Sequence, residues 1–217
     1  MSKSAERDVR YFTHGRTEML PFVPDRMTRV LEIGCGEAVF GAMLKDRYDC
    51  EVWGVEPDEA SLPTANERID HVLHGLFDDV CGELPQDHFD LLICNDVIEH
   101  MSDPDAFLAA VAPKLTADAH VVVSLPNVRY WKNMWELIAL KRWRYTDAGV
   151  MDRTHLRFFT QWTIRDLFER HGYDFQTFQG INKSKSFKPL PLVMLSCGYF
   201  RDILYPQYGM RLKRRAG

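Results

Sequence analysis

The 217-residue chain has little that would commit it to a nucleic acid, a disulfide framework or a bilayer. It lacks an excess of basic charge: 27 Lys and Arg stand against 31 Asp and Glu, a net charge of −4. Nucleic-acid binders usually carry a basic domain, so this balance gives nucleic acid no electrostatic footing. It has only five cysteines, Cys35, Cys50, Cys81, Cys94 and Cys197, scattered, odd in number and without a C-x-x-C. That argues against a disulfide framework and a zinc site, and it suits a reducing, cytoplasmic setting. No apolar run reaches transmembrane length. The longest, around Leu190 to Phe200, is short and interrupted by Pro191. The opening MSKSAERDVR is polar and lacks the apolar core of a signal peptide. There is no internal repeat and no low-complexity linker. With 46% hydrophobic and 27% charged residues, the composition is that of a globular domain. The chain therefore reads as one domain over residues 1–217, with a homodimer left open.

What is present is a rhythm. Residues 1–27 read as a helical lead-in that ends at Pro21 and Pro24. From Arg29 short apolar runs alternate with helical patterns. RVLEIG, EVWGVE, HVLHG, FDLLICND and HVVVSLP read as strands; AVFGAMLKDR and PDAFLAAVAPKL read as helices. DEASLPTANER reads as a weaker helix broken by Pro63, and Asp103 followed by Pro104 reads as a helix start. This alternation predicts a parallel sheet covered on both faces, a doubly wound α/β fold. Residues 127–160 break the rhythm and read as a cap inserted after the fifth strand. TIRDLFERHG and YDFQTFQGI resume it, and YPQYGMRLKR reads as a last, edge strand.

The most informative segment is Val30-Leu31-Glu32-Ile33-Gly34-Cys35-Gly36-Glu37-Ala38. Glycines after a buried strand let the backbone turn tightly and approach a ligand. Glu56 follows Gly36 by 20 residues and ends the second strand, where a carboxylate can accept both hydroxyls of a ribose. The pair indicates a nucleoside cofactor. A dinucleotide fingerprint needs a third glycine or alanine where this chain has Val39. Glu37 would also repel a pyrophosphate at the helix start. S-adenosylmethionine, a phosphate-free sulfonium cation, suits an acidic loop better.

VLEIGCGEAVFG, VWGVEPDEA, FDLLICNDVIEHMSDP and VVVSLPN, in that order, resemble the motifs of class I S-adenosylmethionine-dependent methyltransferases. The resemblance runs from about Arg29 to Gly180. It implies a Rossmann-like, mostly parallel seven-stranded sheet. It also implies that Glu32, Gly34, Cys35 and Gly36 line the methionine and ribose side, that Glu56 and Pro57 meet the ribose, and that Asn95 sits near the amino-acid moiety. Ala38 replaces the usual third glycine, and Leu76 stands where an acidic residue commonly contacts adenine. Adenine would then rest on backbone amides near Leu76 and on the ring of Phe77.

An acceptor hydroxyl needs a proton taken from it, and histidine is the usual group. Of eight histidines, His100 follows the fourth strand in Asn95-Asp96-Val97-Ile98-Glu99-His100, and His155 lies in the cap in Asp152-Arg153-Thr154-His155. His155 reads as the general base, oriented by Asp152, with His100 next in line. Asn127, Tyr130, Trp131, Tyr145 and Arg157 read as acceptor contacts, aromatic faces beside cations that suit sugars, rings or anions. No catalytic metal is expected, since the chain has no H-x-x-H or C-x-x-C pair and no carboxylate cluster with clear ligand spacing; Asp96 with Asp152 is the one pair to watch. SLPNVRYW, RWRYTDAG and DRTHLRFFT resemble bacterial methyltransferases of cell-envelope glycan synthesis and methyltransferase-like proteins linked to methionine biosynthesis. The expected function is O-methylation of a sugar or glycan precursor. The alternatives are a partner or regulatory subunit of a biosynthetic enzyme, and methylation of a small quinone-like or aromatic acceptor.

Overall fold

The computed structural model describes residues 15–215. Its core is one seven-stranded sheet. In chain order, β1 (Arg29–Ile33) leads to α1 (Val39–Tyr48) and β2 (Glu51–Glu56) to α2 (Leu62–Arg68). Next come β3 (His71–His74), α3 (Phe77–Val80), β4 (Phe89–Asn95), α4 (Pro104–Val111) and β5 (Leu115–Pro126). Then α5 (Trp131–Ile138), α6 (Gln161–Arg170), β6 (Tyr173–Ile181), α7 (Leu190–Leu195) and β7 (Gln207–Arg214) complete the chain. The strand order is β3-β2-β1-β4-β5-β7-β6. β1 to β5 pair in parallel, and β7 runs antiparallel to both β5 and β6.

Alternation along the central strands assigns the two layers. Leu31, Ile33, Leu92 and Cys94 face a core closed by Phe107 and Leu108 of α4 and by Ile164 and Phe168 of α6. Val30, Leu91 and Ile93 face the opposite core, closed by Phe40 and Leu44 of α1 and by Met19 and Phe22. The chain winds one way from β1 and the other from β4, so a crevice opens beyond the carboxyl ends of these two strands. Open α/β sheets bind ligands at that switch point.

Three sequence expectations change in detail. Pro63 does not break a helix; it begins α2 as one of its first residues, where its missing N–H costs nothing. β7 is not an edge strand. Tyr208, Met210 and Leu212 are fully buried, and the strand inserts between β5 and β6, leaving β6 at the edge. The described part of the lead-in is a short 3-10 helix, Thr17–Phe22, that contains Pro21; the rest of it, His14 included, lies outside the described residues.

Residues 127–160 leave the sheet after β5 and return to it. Asn127 bridges Phe159, and the Val128 amide donates to the Phe159 carbonyl at 3.0 Å, closing the excursion at its base. Beyond α5 it is irregular, with a single internal bridge between Thr146 and Asp152.

Candidate active site

The turn after β1 is built from left-handed backbone. Gly34, Gly36 and Ala38 have φ of 68°, 55° and 55°. A Cβ on Gly34 would come within 2.7 Å of Val97 Cγ2, so glycine is required there for space as well as conformation. Ala38 pays the cost of an L-residue in this region, about 1–2 kcal/mol. Glu56, almost fully buried, accepts from the Gly36 amide at 2.6 Å and the Asp58 amide at 2.9 Å. Its carboxylate thus ties the turn to β2, and each oxygen keeps a further lone pair for a hydroxyl. Burial pushes its pKa up, against the pull of those two amides.

Glu32 is placed differently. It lies on the α1 side of the sheet, and a Cβ on Gly41 would sit 2.8 Å from its Oε2, which has no hydrogen-bond partner. Burial raises its pKa to about 8, with the Gly41 amide pulling downward and the Glu56 charge adding to the rise. The Cys35 side chain also points into the core. It packs over Gly54, where a Cβ would approach Sγ to 2.6 Å, so only its backbone faces the turn. Asn95, beside this turn at the end of β4, has no partner for either side-chain atom. Buried polar groups are nearly always paired, so an orphan amide at a sheet's carboxyl edge is a ready ligand contact. Pro57 and Leu76 are exposed on the β2–β3 side. Phe77 is not available to adenine: its ring is buried against Phe107, centroids 4.8 Å apart.

Asp96, next along, has φ of 56° and sits in a polar knot. It pairs with Arg16 and accepts from Ser124 Oγ at 2.8 Å and Gln207 Nε2 at 2.7 Å. Asp152 accepts from the amide and hydroxyl of Thr154 at 2.9 and 2.7 Å. Each has its own partners, so Asp96 and Asp152 do not form the metal pair that the sequence suggested watching.

The structure instead gathers Glu99, His100 and His155, whose ligand-capable atoms all lie within 4.8 Å of one another. Backbone bonds bring the two segments together. The Glu99 carbonyl accepts from the Leu156 and Arg157 amides at 2.8 and 3.0 Å, and Arg157 also donates to Ser102. His155 Nδ1 lies 3.1 Å from the Val150 carbonyl, and His100 Nδ1 lies 3.2 Å from the Thr154 carbonyl. Each ring therefore donates through Nδ1, which leaves Nε2 as its other polar atom. His155 Nε2 is 4.0 Å from Glu99 Oε1. The ring is thus oriented by Val150, not by Asp152 as the sequence suggested. Burial lowers the His155 pKa, which favours the neutral ring. Glu99 is fully buried and neither carboxylate oxygen has a hydrogen-bond partner. Desolvation raises its pKa well above the usual range, with the nearby Asp96 charge adding to it. The sequence marks Glu99 only as a neighbour of His100; nothing in spacing shows that residues 99 and 155 meet.

Around this cluster lies an aromatic wall. Phe158 contacts Trp143, Tyr145 and His155, with centroids 5.3, 6.1 and 6.4 Å apart. Tyr145 was expected from sequence; Trp143 and Phe158 complete the group. Asn127 is not an acceptor contact. It is fully buried, donates to the Asp202 and Tyr205 carbonyls at 3.0 and 2.8 Å and accepts from the Arg129 amide at 2.9 Å. Trp131 donates to Ser184 Oγ at 3.2 Å, and Tyr130 packs edge-on against it. A separate cleft of about 510 Å³, lined by Phe178, Tyr199 and Asp202 among others, lies at the antiparallel end of the sheet, four strands from β1.

Comparison with known proteins agrees with this architecture. Residues 5–177 match the family model described as "Methyltransferase domain". A ubiquinone biosynthesis O-methyltransferase of Bradyrhizobium diazoefficiens is 33% identical over 109 residues, 48% of this chain and 42% of that protein. One from Neisseria meningitidis serogroup C is 30% identical over 110 residues, 47% and 45% of the two chains. The match spans less than half the length of these relatives. A SAM-dependent methyltransferase from Archaeoglobus fulgidus superposes with a TM-score of 0.63 at 17% identity, covering 98% of this chain and 95% of that one. A putative Haloferax volcanii methyltransferase, solved with the Trm112 activator, gives 0.68 at 14% identity over 98% and 95%. None of these relatives supports the glycan acceptor. By its family match over most of its length, the chain belongs to the methyltransferase-domain family.

Proposed function

We propose that the chain is an S-adenosylmethionine-dependent O-methyltransferase whose acceptor is a hydroxyl on a quinone-like aromatic ring. The observation that carries it is the convergence of an unpartnered buried carboxylate, Glu99, with two oriented imidazoles beside an aromatic wall. The names of the curated relatives support the quinone-like acceptor over a sugar.

S-adenosylmethionine supplies a methyl carbon activated by a sulfonium. The left-handed turn at Gly34 and Gly36 would present its backbone to it, Glu56 would accept its ribose hydroxyls, and Asn95 would meet its amino-acid end. The fit rests on the Glu56 carboxylate held at the turn and on the orphan amide of Asn95. Trp143, Tyr145 and Phe158 hold the flat acceptor, since aromatic rings pair edge-to-face or offset at these separations. Bound there, the cofactor would give its methyl carbon to the acceptor oxygen, and the carbon–sulfur electron pair would stay on sulfur.

The hydroxyl proton must leave, and the triad governs that. Glu99, His100 and His155 would hold a divalent cation, whose Lewis acidity lowers the acceptor pKa. Imidazole and carboxylate together suit first-row divalent ions, and rings fixed through Nδ1 to carbonyls are already oriented as metal ligands are. The second reading is that neutral His155 takes the proton directly at Nε2. Adding manganese or zinc to the chelator-treated protein is expected to raise its melting temperature and restore turnover. Full activity in chelator, with no metal-induced shift, would leave His155 as the base.

Glu56→Ala is expected to weaken binding of S-adenosylmethionine by about 1.5–3 kcal/mol, the scale of hydrogen bonds to a charged group. Calorimetric titration of the folded variant checks it; unchanged affinity would remove Glu56 from the ribose site.

A further inference from the structure

Two apolar segments leave large side chains exposed. α5 buries none of its residues, and neither does α7. Ile138 is 68% exposed, Met194 78%, Leu195 85% and Phe187, just before α7, 81%. The two segments spring from one place. Trp131 at the head of α5 bonds Ser184 on the approach to α7, and Arg129 pairs with Asp202 after it. Both are basic in a chain that is acidic overall. Residues 128–145 and 182–201 together hold nine Lys and Arg and one acid, Glu136, against 27 and 31 in the whole chain. Lys141, Arg142, Lys183, Lys185 and Lys188 are exposed and form no ion pair among the described residues.

We propose that this face docks on an anionic lipid bilayer. Apolar side chains flanked by unneutralised Lys and Arg are what an interfacial surface needs: the first enter the acyl boundary and the second meet acidic headgroups. No described helix is long and apolar enough to cross a membrane, so the contact lies on the surface. A second copy is the poorer occupant. In a two-fold dimer the patch would face itself, bringing like charge against like charge. The excursion that carries α5 also carries His155. The inference does not depend on which acceptor is methylated.

The test is co-sedimentation of the full chain with vesicles of phosphatidylcholine mixed with phosphatidylglycerol, against phosphatidylcholine alone. Retention is expected on the mixed vesicles, falling about tenfold or more on neutral vesicles and at high salt, where surface charge is screened. The triple change Lys183→Glu, Lys185→Glu, Lys188→Glu and, separately, Met194→Asp with Leu195→Asp should each abolish retention. All five side chains are exposed, so circular dichroism and S-adenosylmethionine affinity should stay at wild-type values. The proposal is overturned by absent wild-type retention, by equal retention on neutral vesicles, or by variants that bind like wild type. A solution dimer that Leu195→Asp dissolves, without vesicle binding, would assign the face to a second copy. Equal binding to soluble polyglutamate would assign it to an acidic protein.

Discussion

Glu99→Gln is expected to lower turnover by about 10²–10⁴-fold, the range of a lost acid–base or ion-holding group, while S-adenosylmethionine affinity stays unchanged. The same variant should melt at the same temperature as wild type or higher. Glu99 is 0% exposed, and neither carboxylate oxygen has a hydrogen-bond partner. Keeping a charge there costs folding energy unless something compensates it. Glutamine keeps the shape and removes the cost of ionising a buried carboxyl, so stability should not fall. Turnover by chromatographic detection of S-adenosylhomocysteine, beside a thermal melt, checks both halves. A variant that melts lower and turns over normally would make Glu99 a structural pin of residues 154–157.

Raising the pH from 5 to 8 is expected to destabilise the cofactor-free protein, and Glu32→Gln should remove much of that dependence. The Glu32 carboxyl has its pKa raised by burial to about 8, from 4.5 when unperturbed. Between these values the folded chain keeps a proton that the unfolded chain has released. Ionisation then favours the unfolded state. The stabilising contribution is full below pH 4.5 and is lost as the pH climbs to about 8. One such proton changes stability by up to about 1.4 kcal/mol per pH unit, so the summed effect is several kcal/mol. Glu56 and Glu99 are also raised by burial and act with the same sign, so the variant keeps a residual slope. Urea unfolding at three pH values measures it. Parallel slopes for wild type and variant would show that Glu32 is not the responsible group.

Both effects concern carboxylates whose residue types were visible at once but whose environments were not. Glu32 stands in the glycine-loop motif, and the motif suggests a ligand contact. The structure shows its side chain turned toward Gly41 on the α1 face instead. Strand alternation contains the reason. Ile33 and Leu31 face one layer, so Glu32 must face the other with Val30. Phe77 teaches the same lesson at the start of α3, where one turn of helix sends the ring to Phe107.

By itself the sequence determined the order of the parallel strands' appearance, the glycine turn, the position of Glu56 and the helix start at Asp103. These rest on local physics: hydrophobic period, left-handed backbone at glycine and the capping of free amides. The Asp103 side chain does accept from the Ala106 amide, at 2.9 Å. Tertiary structure alone decided that β7 enters the sheet between β5 and β6, because strand order depends on which apolar faces pair and not on where they fall in the chain. It alone decided that Glu99 meets His155 across 56 positions, joined by amides of residues 156 and 157 to the Glu99 carbonyl. Residue spacing cannot report such a meeting, since an irregular excursion has no period. Only the folded backbone, satisfying its own hydrogen bonds, sets where its side chains converge.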